Sequence, residues 1–122
     1  MEPAYSHMQL VVLNRHDRVF TQGDVIAFRC DGLSSVLVKR IIAGPSDTAQ
    51  ITDGALLING QVSRVYPAGS IAYPGILAEP VTLDQGQYLV LGDNLPESKD
   101  SRYKEVGIVS EASIFGKICS HN

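Results

Sequence analysis

The sequence predicts a small all-β domain of the barrel or sandwich type, and two observations carry that prediction. No stretch of ten or more residues places apolar side chains at positions i, i+3, i+4 and i+7 beside a plausible cap, so helix signals are nearly absent. Short runs rich in β-branched and aromatic residues recur instead, separated by turn-forming residues. Many short strands with regular turns are typical of small barrels and sandwiches. We therefore expect residues 1–122 to form one such domain.

Six strands are predicted along the chain, each bounded by Gly, Pro, Asn, Asp or Ser. They are Leu10–Leu13, Val25–Phe28, Val36–Ile42, Ala55–Ile58, Tyr88–Leu91 and Ser113–Cys119. Asn59 and Gly60 directly follow the fourth strand. They predict a tight hairpin there, because a type I′ turn needs a positive φ at both of its central residues.

Residues 65–82 differ from the patterned β regions on either side. The segments Tyr66–Ser70 and Tyr73–Gly75 carry Pro and Gly. Because proline cannot donate a backbone hydrogen bond to a neighbouring strand, such segments interrupt a sheet. This part of the chain is therefore predicted to be a short irregular excursion inserted within the domain.

Composition excludes several classes of protein. The chain has 10 Lys+Arg against 13 Asp+Glu, and a net charge of −3 argues against a nucleic-acid partner. Apolar runs never exceed four residues, whereas a transmembrane helix needs about 20, so no span is predicted within these residues. The start at Met1 has neither the charged segment nor the apolar segment of a signal peptide.

Neither a metal site nor a cofactor is predicted. Cys30 and Cys119 do not lie in a Cys-x-x-Cys pair, and the three histidines are scattered without metal-ligand spacing. The two cysteines could form one disulfide or be two small buried apolar side chains; two cysteines in a chain of this length favour the second, and their redox state stays open.

Lys39 interrupts the otherwise apolar third strand. In strict alternation Leu37, Lys39 and Ile41 share one face of that strand, and Arg40 belongs to the other face. At least one of the two cations must therefore lie against apolar surface. Burial would lower the pKa of a lysine from about 10.4, which is how a lysine becomes a general base. The alternative is a lysine whose stem packs on the sheet while its ammonium reaches water.

An eleven-residue loop, Gly92–Arg102, follows the strand that ends at Leu91. It combines turn formers, two hydroxyls, several carboxylates and an arginine. Asp100 and Arg102 could form a bidentate ion pair within it. The alternative is an ordinary solvated loop, but so many polar groups in one segment favour a specific hydrogen-bonded structure.

Taken in order, these segments resemble the type I signal peptidases, the serine–lysine membrane proteases. The resemblance covers nearly the whole chain except the excursion, and its most specific part is the loop at 92–102. The matching segments are Met1–Pro3, Gly23–Val25, Lys39-Arg40 with Pro45 and Asp47, Gly92–Arg102, and Gly116-Lys117.

The resemblance implies a role for each matching residue. Lys39 would be the general base that takes the proton of a nucleophilic serine, and Ser98 would hydrogen-bond Lys39 and hold it in line. The residues that would support the active site are Gly92, Asp93, Asp100 and Arg102. Those that would line shallow pockets for small substrate side chains are Met1, Tyr5 and Val38. The substrate would lie extended along a strand edge.

The resemblance also implies a substrate class and a location. Signal peptides of exported precursors would be the substrates, and the domain would lie on the extracytoplasmic side of the cell membrane, held by an anchor upstream of Met1. The family places its serine immediately before the Met of Met-x-Pro, so that residue would precede Met1. As written, the chain is expected not to cleave peptides by the family mechanism.

Three smaller departures from the family pattern indicate altered loops near the substrate groove. Met8-Gln9 stand where the family usually has Gly-Asp, Leu95-Pro96 stand where it has Arg after Gly-Asp-Asn, and Ser46 stands where it has Gly.

A second hypothesis belongs to another class: a non-cleaving, signal-peptidase-like protein that binds or escorts secreted or pilus subunits. Retention of Lys39 and Ser98 favours the enzyme, whereas the changes at Met8-Gln9 and Leu95-Pro96 favour the binding protein. A self-cleaving repressor protease shares the serine–lysine core, but the sequence shows no DNA-binding helices and no cleavage-site linker.

Overall fold

The computed structural model describes residues 11–120, and within this range the protein is built from strands and short 3-10 turns. The longest helical segment there is the four-residue 3-10 turn Gly75–Ala78. The ten strands of the described range are β1 (Val11–Asn14), β2 (Val25–Cys30), β3 (Ser35–Ala43), β4 (Thr48–Thr52), β5 (Ala55–Ile58), β6 (Gln61–Val62), β7 (Val81–Thr82), β8 (Gln87–Leu91), β9 (Val109–Ser110) and β10 (Ile114–Ser120). The all-β prediction is confirmed.

The strands form two antiparallel sheets. The larger has the order β1-β10-β2-β3-β8-β9, and the smaller has the order β6-β5-β4-β7. β3 is the longest strand and lies in the middle of the larger sheet, where it pairs with β2 along residues 35–40 and with β8 from Arg40 to Ala43. The first half of β3 therefore has a different set of neighbours from the second half.

Both faces of the β3–β8 pair are buried, each in its own hydrophobic cluster. Ile42 and Leu89 belong to one cluster, whereas Ile41 and Val90 belong to the other. This division follows from the two-residue repeat of a strand, which sends neighbouring side chains to opposite faces. β3 is exposed at its start and fully buried over its last three residues, and Lys39 lies midway along this gradient.

Turn chemistry explains the hairpins of the smaller sheet. Asn59 has a φ of 54° and Gly60 a φ of 83°, which confirms the predicted turn between β5 and β6. Asp53 and Gly54 have φ values of 52° and 76° and join β4 to β5 in the same way.

Each of the six predicted strands overlaps an observed one, but the prediction missed β4 and the two-residue strands β6, β7 and β9. β4 reads Thr-Ala-Gln-Ile-Thr, in which the apolar residues Ala49 and Ile51 are buried and the residues beside them are more exposed. Only two of its five residues are apolar, so it lacks the apolar run that marked the other strands.

The excursion at residues 65–82 packs against the protein core rather than projecting away from it. Tyr66, Ile71 and Leu77 are each at most 5% exposed and belong to the same cluster as Ile42. Apart from the 3-10 turn Gly75–Ala78 and strand β7, its backbone forms no regular secondary structure. The excursion is therefore in a position to influence the loops near β3.

Of the residues that the structure covers, none forms a helix long and apolar enough to cross a membrane. Cys30 is buried, Cys119 is exposed, and both thiols are free.

Candidate active site

Lys39 and Ser98 are brought together from positions 59 residues apart. The Lys39 ammonium donates a hydrogen bond to Ser98 Oγ at 3.0 Å. Ser98 is 7% exposed and lies directly after the 3-10 turn Leu95–Glu97, where its backbone N–H donates to the Leu95 carbonyl. The hydroxyl thus comes from a fixed turn and the amine from a central strand, so both groups are held on rigid elements.

The surroundings of Lys39 lower its pKa below the ordinary value of a lysine. Burial is the largest cause, and the positive charge of Arg102 acts in the same direction, whereas the carboxylates of Asp100 and Asp93 oppose both. Burial disfavours the charged form because an ammonium loses its water shell. At a given pH, a larger fraction of Lys39 is therefore in the neutral form, which can accept a proton, than for a lysine on the protein surface.

Asp100 and Arg102 form the buried ion pair that the loop sequence suggested. Arg102 Nε lies 2.8 Å from Asp100 Oδ1, Arg102 Nη2 lies 3.0 Å from Oδ2, and neither side chain is more than 3% exposed. Arg102 Nη2 also donates hydrogen bonds to the carbonyls of Leu95 and Ser98, so the guanidinium holds both ends of the turn. The pair is structural: it fixes the segment that carries Ser98.

Ser101 contributes a contact that the sequence reasoning missed. It is fully buried, its hydroxyl accepts from the Val90 N–H at 2.8 Å, and its own N–H donates to the Val90 carbonyl. These two bonds fasten the loop to β8 as an extra strand residue would. A buried serine inside a polar loop has no distinct sequence signature, so only the fold reveals it.

Asp93, predicted to support the site, pairs with the residue next to Lys39. Arg40 Nε lies 3.0 Å from Asp93 Oδ1, and Arg40 Nη2 lies 3.0 Å from Asp93 Oδ2. Arg40 Nη1 donates to the Gly23 carbonyl, which connects the turn before β2 to the same arrangement. The two cations of β3 therefore have different partners on opposite faces of the strand.

The remaining motif segments lie as follows. Lys117, of the Gly116-Lys117 segment, places its Nζ 3.0 Å from Asp17 Oδ2 and 3.3 Å from Asp24 Oδ2. These two ion pairs connect β10 to the segment that precedes β2. Val38 lies beside Lys39 on β3, opposite Ala27 of β2, and is partly exposed. Met1 and Tyr5, the other predicted pocket residues, lie outside the described residues.

The departures in the loops are accommodated locally. Leu95 is 8% exposed and packs in the hydrophobic cluster that contains Ile42. Pro96 lies in the first turn of the 3-10 segment, where a missing N–H has no cost. Ser46 has a φ of 73°, a conformation that glycine adopts more readily than serine.

Gly92 is close-packed against the Lys39–Ser98 pair. A Cβ atom at this position would overlap Ser98 Oγ, would lie 2.6 Å from Ser98 Cβ, and would lie 3.4 Å from Lys39 Nζ. The register explains the approach: Arg40 pairs with Leu91, so the next residue, Gly92, faces Lys39.

Gly92→Ala should therefore displace Ser98, lengthen the contact between Lys39 and Ser98, and lower the free energy of unfolding by about 1–3 kcal/mol. Thermal and urea denaturation measure the loss. Gly44→Ala is the matched control, because its new Cβ would meet only the Tyr88 ring, at 3.2 Å, and that ring can shift. Equal stability of Gly92→Ala and the parent chain would contradict the close packing at Gly92.

Comparison with known proteins places this chain in a family. The family model described as signal peptidase, peptidase S26, matches residues 1–120. Signal peptidase I of Bacillus licheniformis is 34% identical over 106 residues, which are 80% of this chain and 56% of that protein. Signal peptidase I T of Bacillus subtilis is 32% identical over 104 residues, 78% of this chain and 53% of that protein.

A solved structure agrees with the sequence matches. The crystal structure of a signal peptidase I from Enterococcus faecalis superimposes with a TM-score of 0.63 at 30% sequence identity, covering 80% of this chain and 94% of that one. The chain spans about half the length of the curated relatives it matches. On the family match, the sequence identity and the shared fold together, this chain belongs to the signal peptidase family.

Proposed function

We propose that the protein is a serine endopeptidase of the signal peptidase type, which removes signal peptides from exported precursor proteins. The observation that carries the proposal is the half-buried Lys39 ammonium held 3.0 Å from Ser98 Oγ, in a member of this family. A lysine with a lowered pKa beside a fixed hydroxyl is suited to take a proton from a serine nucleophile.

In the proposed mechanism Lys39 acts as the base and Ser98 as its positioning partner. The neutral Lys39 amine takes the proton of a serine that immediately precedes Met1, and the serine oxygen attacks the scissile carbonyl. A backbone N–H at the nucleophile stabilises the oxyanion. The Lys39 ammonium then returns its proton to the leaving amine, and water hydrolyses the acyl-enzyme with Lys39 again acting as base.

Substrate binding is proposed along β3. Within the described residues β3 pairs with β8 only from Arg40 onward, so the edge beside Val38 is available to an extended peptide. Main-chain hydrogen bonds would give affinity, and Val38, Met1 and Tyr5 would form the pockets for small side chains. In the same proposal the domain works at the extracytoplasmic face of the cell membrane, held by an anchor upstream of Met1.

Cleavage of a peptide containing an Ala-x-Ala signal-peptidase site tests the function. A form of the chain in which serine immediately precedes Met1 should cut once, after the second alanine, and the chain that starts at Met1 should not. Since only the neutral Lys39 accepts a proton, kcat/KM should rise with pH through the lowered pKa of Lys39 and level off above it. Mass spectrometry locates the cut.

The outcome distinguishes the enzyme from the binding protein. If the serine-bearing form binds the peptide but leaves it intact over the whole pH range, the enzymatic proposal fails and a non-cleaving, escort-type function takes its place. If the chain without the serine cuts at the same rate, the assignment of the nucleophile to the position before Met1 fails.

A further inference from the structure

Tyr66, a residue of the irregular excursion, reaches from the protein core to the candidate active site. It is 5% exposed, and its ring packs in the cluster that includes Ile71, Leu77 and Leu95. Its hydroxyl donates a hydrogen bond to the Gly92 carbonyl at 3.2 Å, across 26 residues of sequence. No feature of the Tyr-Pro-Ala-Gly sequence around it indicated this contact.

Gly92 is the residue on which the site geometry depends. Its N–H donates to Asp100 Oδ2 at 3.1 Å, and its carbonyl accepts from Tyr66, so the residue is held from both ends. Its open side faces Ser98 and the Lys39 ammonium so closely that no Cβ fits. Any movement of the Gly92 backbone must therefore change the space in which Lys39 meets Ser98.

The Tyr66 hydroxyl is a permanent donor. Burial raises the pKa of Tyr66, and the nearby negative charge of Asp93 raises it further. The phenol therefore keeps its proton throughout the pH range in which a lysine base operates. A donor that does not titrate holds the Gly92 carbonyl equally well at every such pH.

Water can reach this contact if the hydroxyl is removed. A cleft of about 480 Å³ lies beside Tyr66 and is lined also by Arg40, Asp93 and Leu95. In the intact protein the Gly92 carbonyl is satisfied by the phenol. Without it, a water molecule from the cleft is the natural substitute, because a buried carbonyl needs a partner.

We propose that Tyr66 is a positioning residue of the active site: by holding the Gly92 carbonyl, it fixes the backbone against which Lys39 and Ser98 meet. The catalytic part of this inference rests on the proposed function. The part that concerns the protonation of Lys39 does not depend on the proposed function, since that protonation can be measured in the chain without substrate.

Tyr66→Phe tests the inference because it keeps the ring and removes only the hydroxyl. NMR titration of lysine side chains labelled with ¹³C and ¹⁵N, assigned through Lys39→Arg, follows the pKa of Lys39 directly. We expect Tyr66→Phe to raise that pKa by about half a unit, since a Gly92 backbone that can shift packs less closely on the Lys39 amine and reduced burial favours the ammonium. In the serine-bearing form, kcat should fall about tenfold at unchanged KM, and the acid limb of the pH profile should move to higher pH.

Tyr88→Phe is the matched control. Tyr88 is also 5% exposed, but its ring stacks edge-on against Phe20 in the other cluster. Tyr88→Phe should leave the pKa of Lys39 and the pH profile of cleavage unchanged. If Tyr66→Phe also leaves both unchanged, whatever it does to the melting temperature, the positioning role is refuted.

Two further provisions keep the experiment decisive. Should Tyr66→Phe be too unstable to titrate, it and the parent chain are titrated in the same concentration of sucrose, which favours the folded state. Should the parent serine-bearing chain fail to cleave, the proposed function fails, but a raised Lys39 pKa in Tyr66→Phe still supports the positioning role and an unchanged one still overturns it.

Discussion

Lys39→Ala should lower kcat/KM for precursor cleavage about 10³-fold in the serine-bearing form of the chain, with the fold intact. The amine is the group placed to receive the serine proton, and Ser98, its partner at 3.0 Å, is a hydroxyl that cannot replace it as a base. Removing a half-buried ammonium leaves no unpaired charge behind, so the melting temperature should hardly change. Initial rates on an Ala-x-Ala peptide and a thermal melt measure the two effects.

Two variants sharpen this test. Lys39→Arg retains a positive charge but not a group that loses its proton, so it should be as inactive as Lys39→Ala. Lys99→Ala removes a lysine from the loop that carries Ser98, where the Lys99 ammonium lies 4.1 Å from the Tyr103 ring centroid, and should retain activity. Full activity of Lys39→Ala or of Lys39→Arg would disprove the general-base role.

Asp100→Ala should lower the free energy of unfolding by about 3–5 kcal/mol, which is a large share of the stability of a small domain. The substitution leaves the Arg102 guanidinium buried without its carboxylate, since neither side chain is more than 3% exposed. It also removes the acceptor of the Gly92 N–H. Urea denaturation with an unchanged m-value measures the loss.

The control is the ion pair between Arg29 and Asp31, whose side chains are 57% and 95% exposed. Asp31→Ala should cost less than about 1 kcal/mol, because exposed pairs are screened by solvent. The double variant Asp100→Leu/Arg102→Met removes both buried charges and should cost less than Asp100→Ala alone. A loss below about 1 kcal/mol for Asp100→Ala would contradict the structural importance of this pair.

The loop at 92–102 shows how far local sequence information reaches. Asp100 and Arg102 are two residues apart, so a pairing between them could be anticipated from spacing and from the fork geometry of arginine. Likewise, Asn59-Gly60 and the apolar run before it specify a hairpin with little help from the rest of the chain. Features whose cause lies within a few residues were predicted well.

β4 and Ser46 show where local rules are insufficient. β4 has only two apolar residues, and it is a strand because β5 and β7 pair with its two edges. Ser46 takes a glycine-like φ because the turn is held from outside itself, through the Ser46 N–H to the Leu83 carbonyl. In both cases tertiary contacts override a weak local preference.

By itself the sequence determined an all-β protein and, through its motifs, the resemblance to a family and the candidate pair of Lys39 and Ser98. Tertiary structure alone decided how that pair is supported: the Tyr66 hydroxyl on Gly92, the Arg40–Asp93 ion pair, and the burial that lowers the pKa of Lys39. The physical reason is distance along the chain. Strand patterns and turns are set by neighbouring residues. The Arg40–Asp93 ion pair, across 53 residues, exists only after β3 and β8 have paired, and the Tyr66–Gly92 hydrogen bond, across 26 residues, exists only after the excursion has packed on the core.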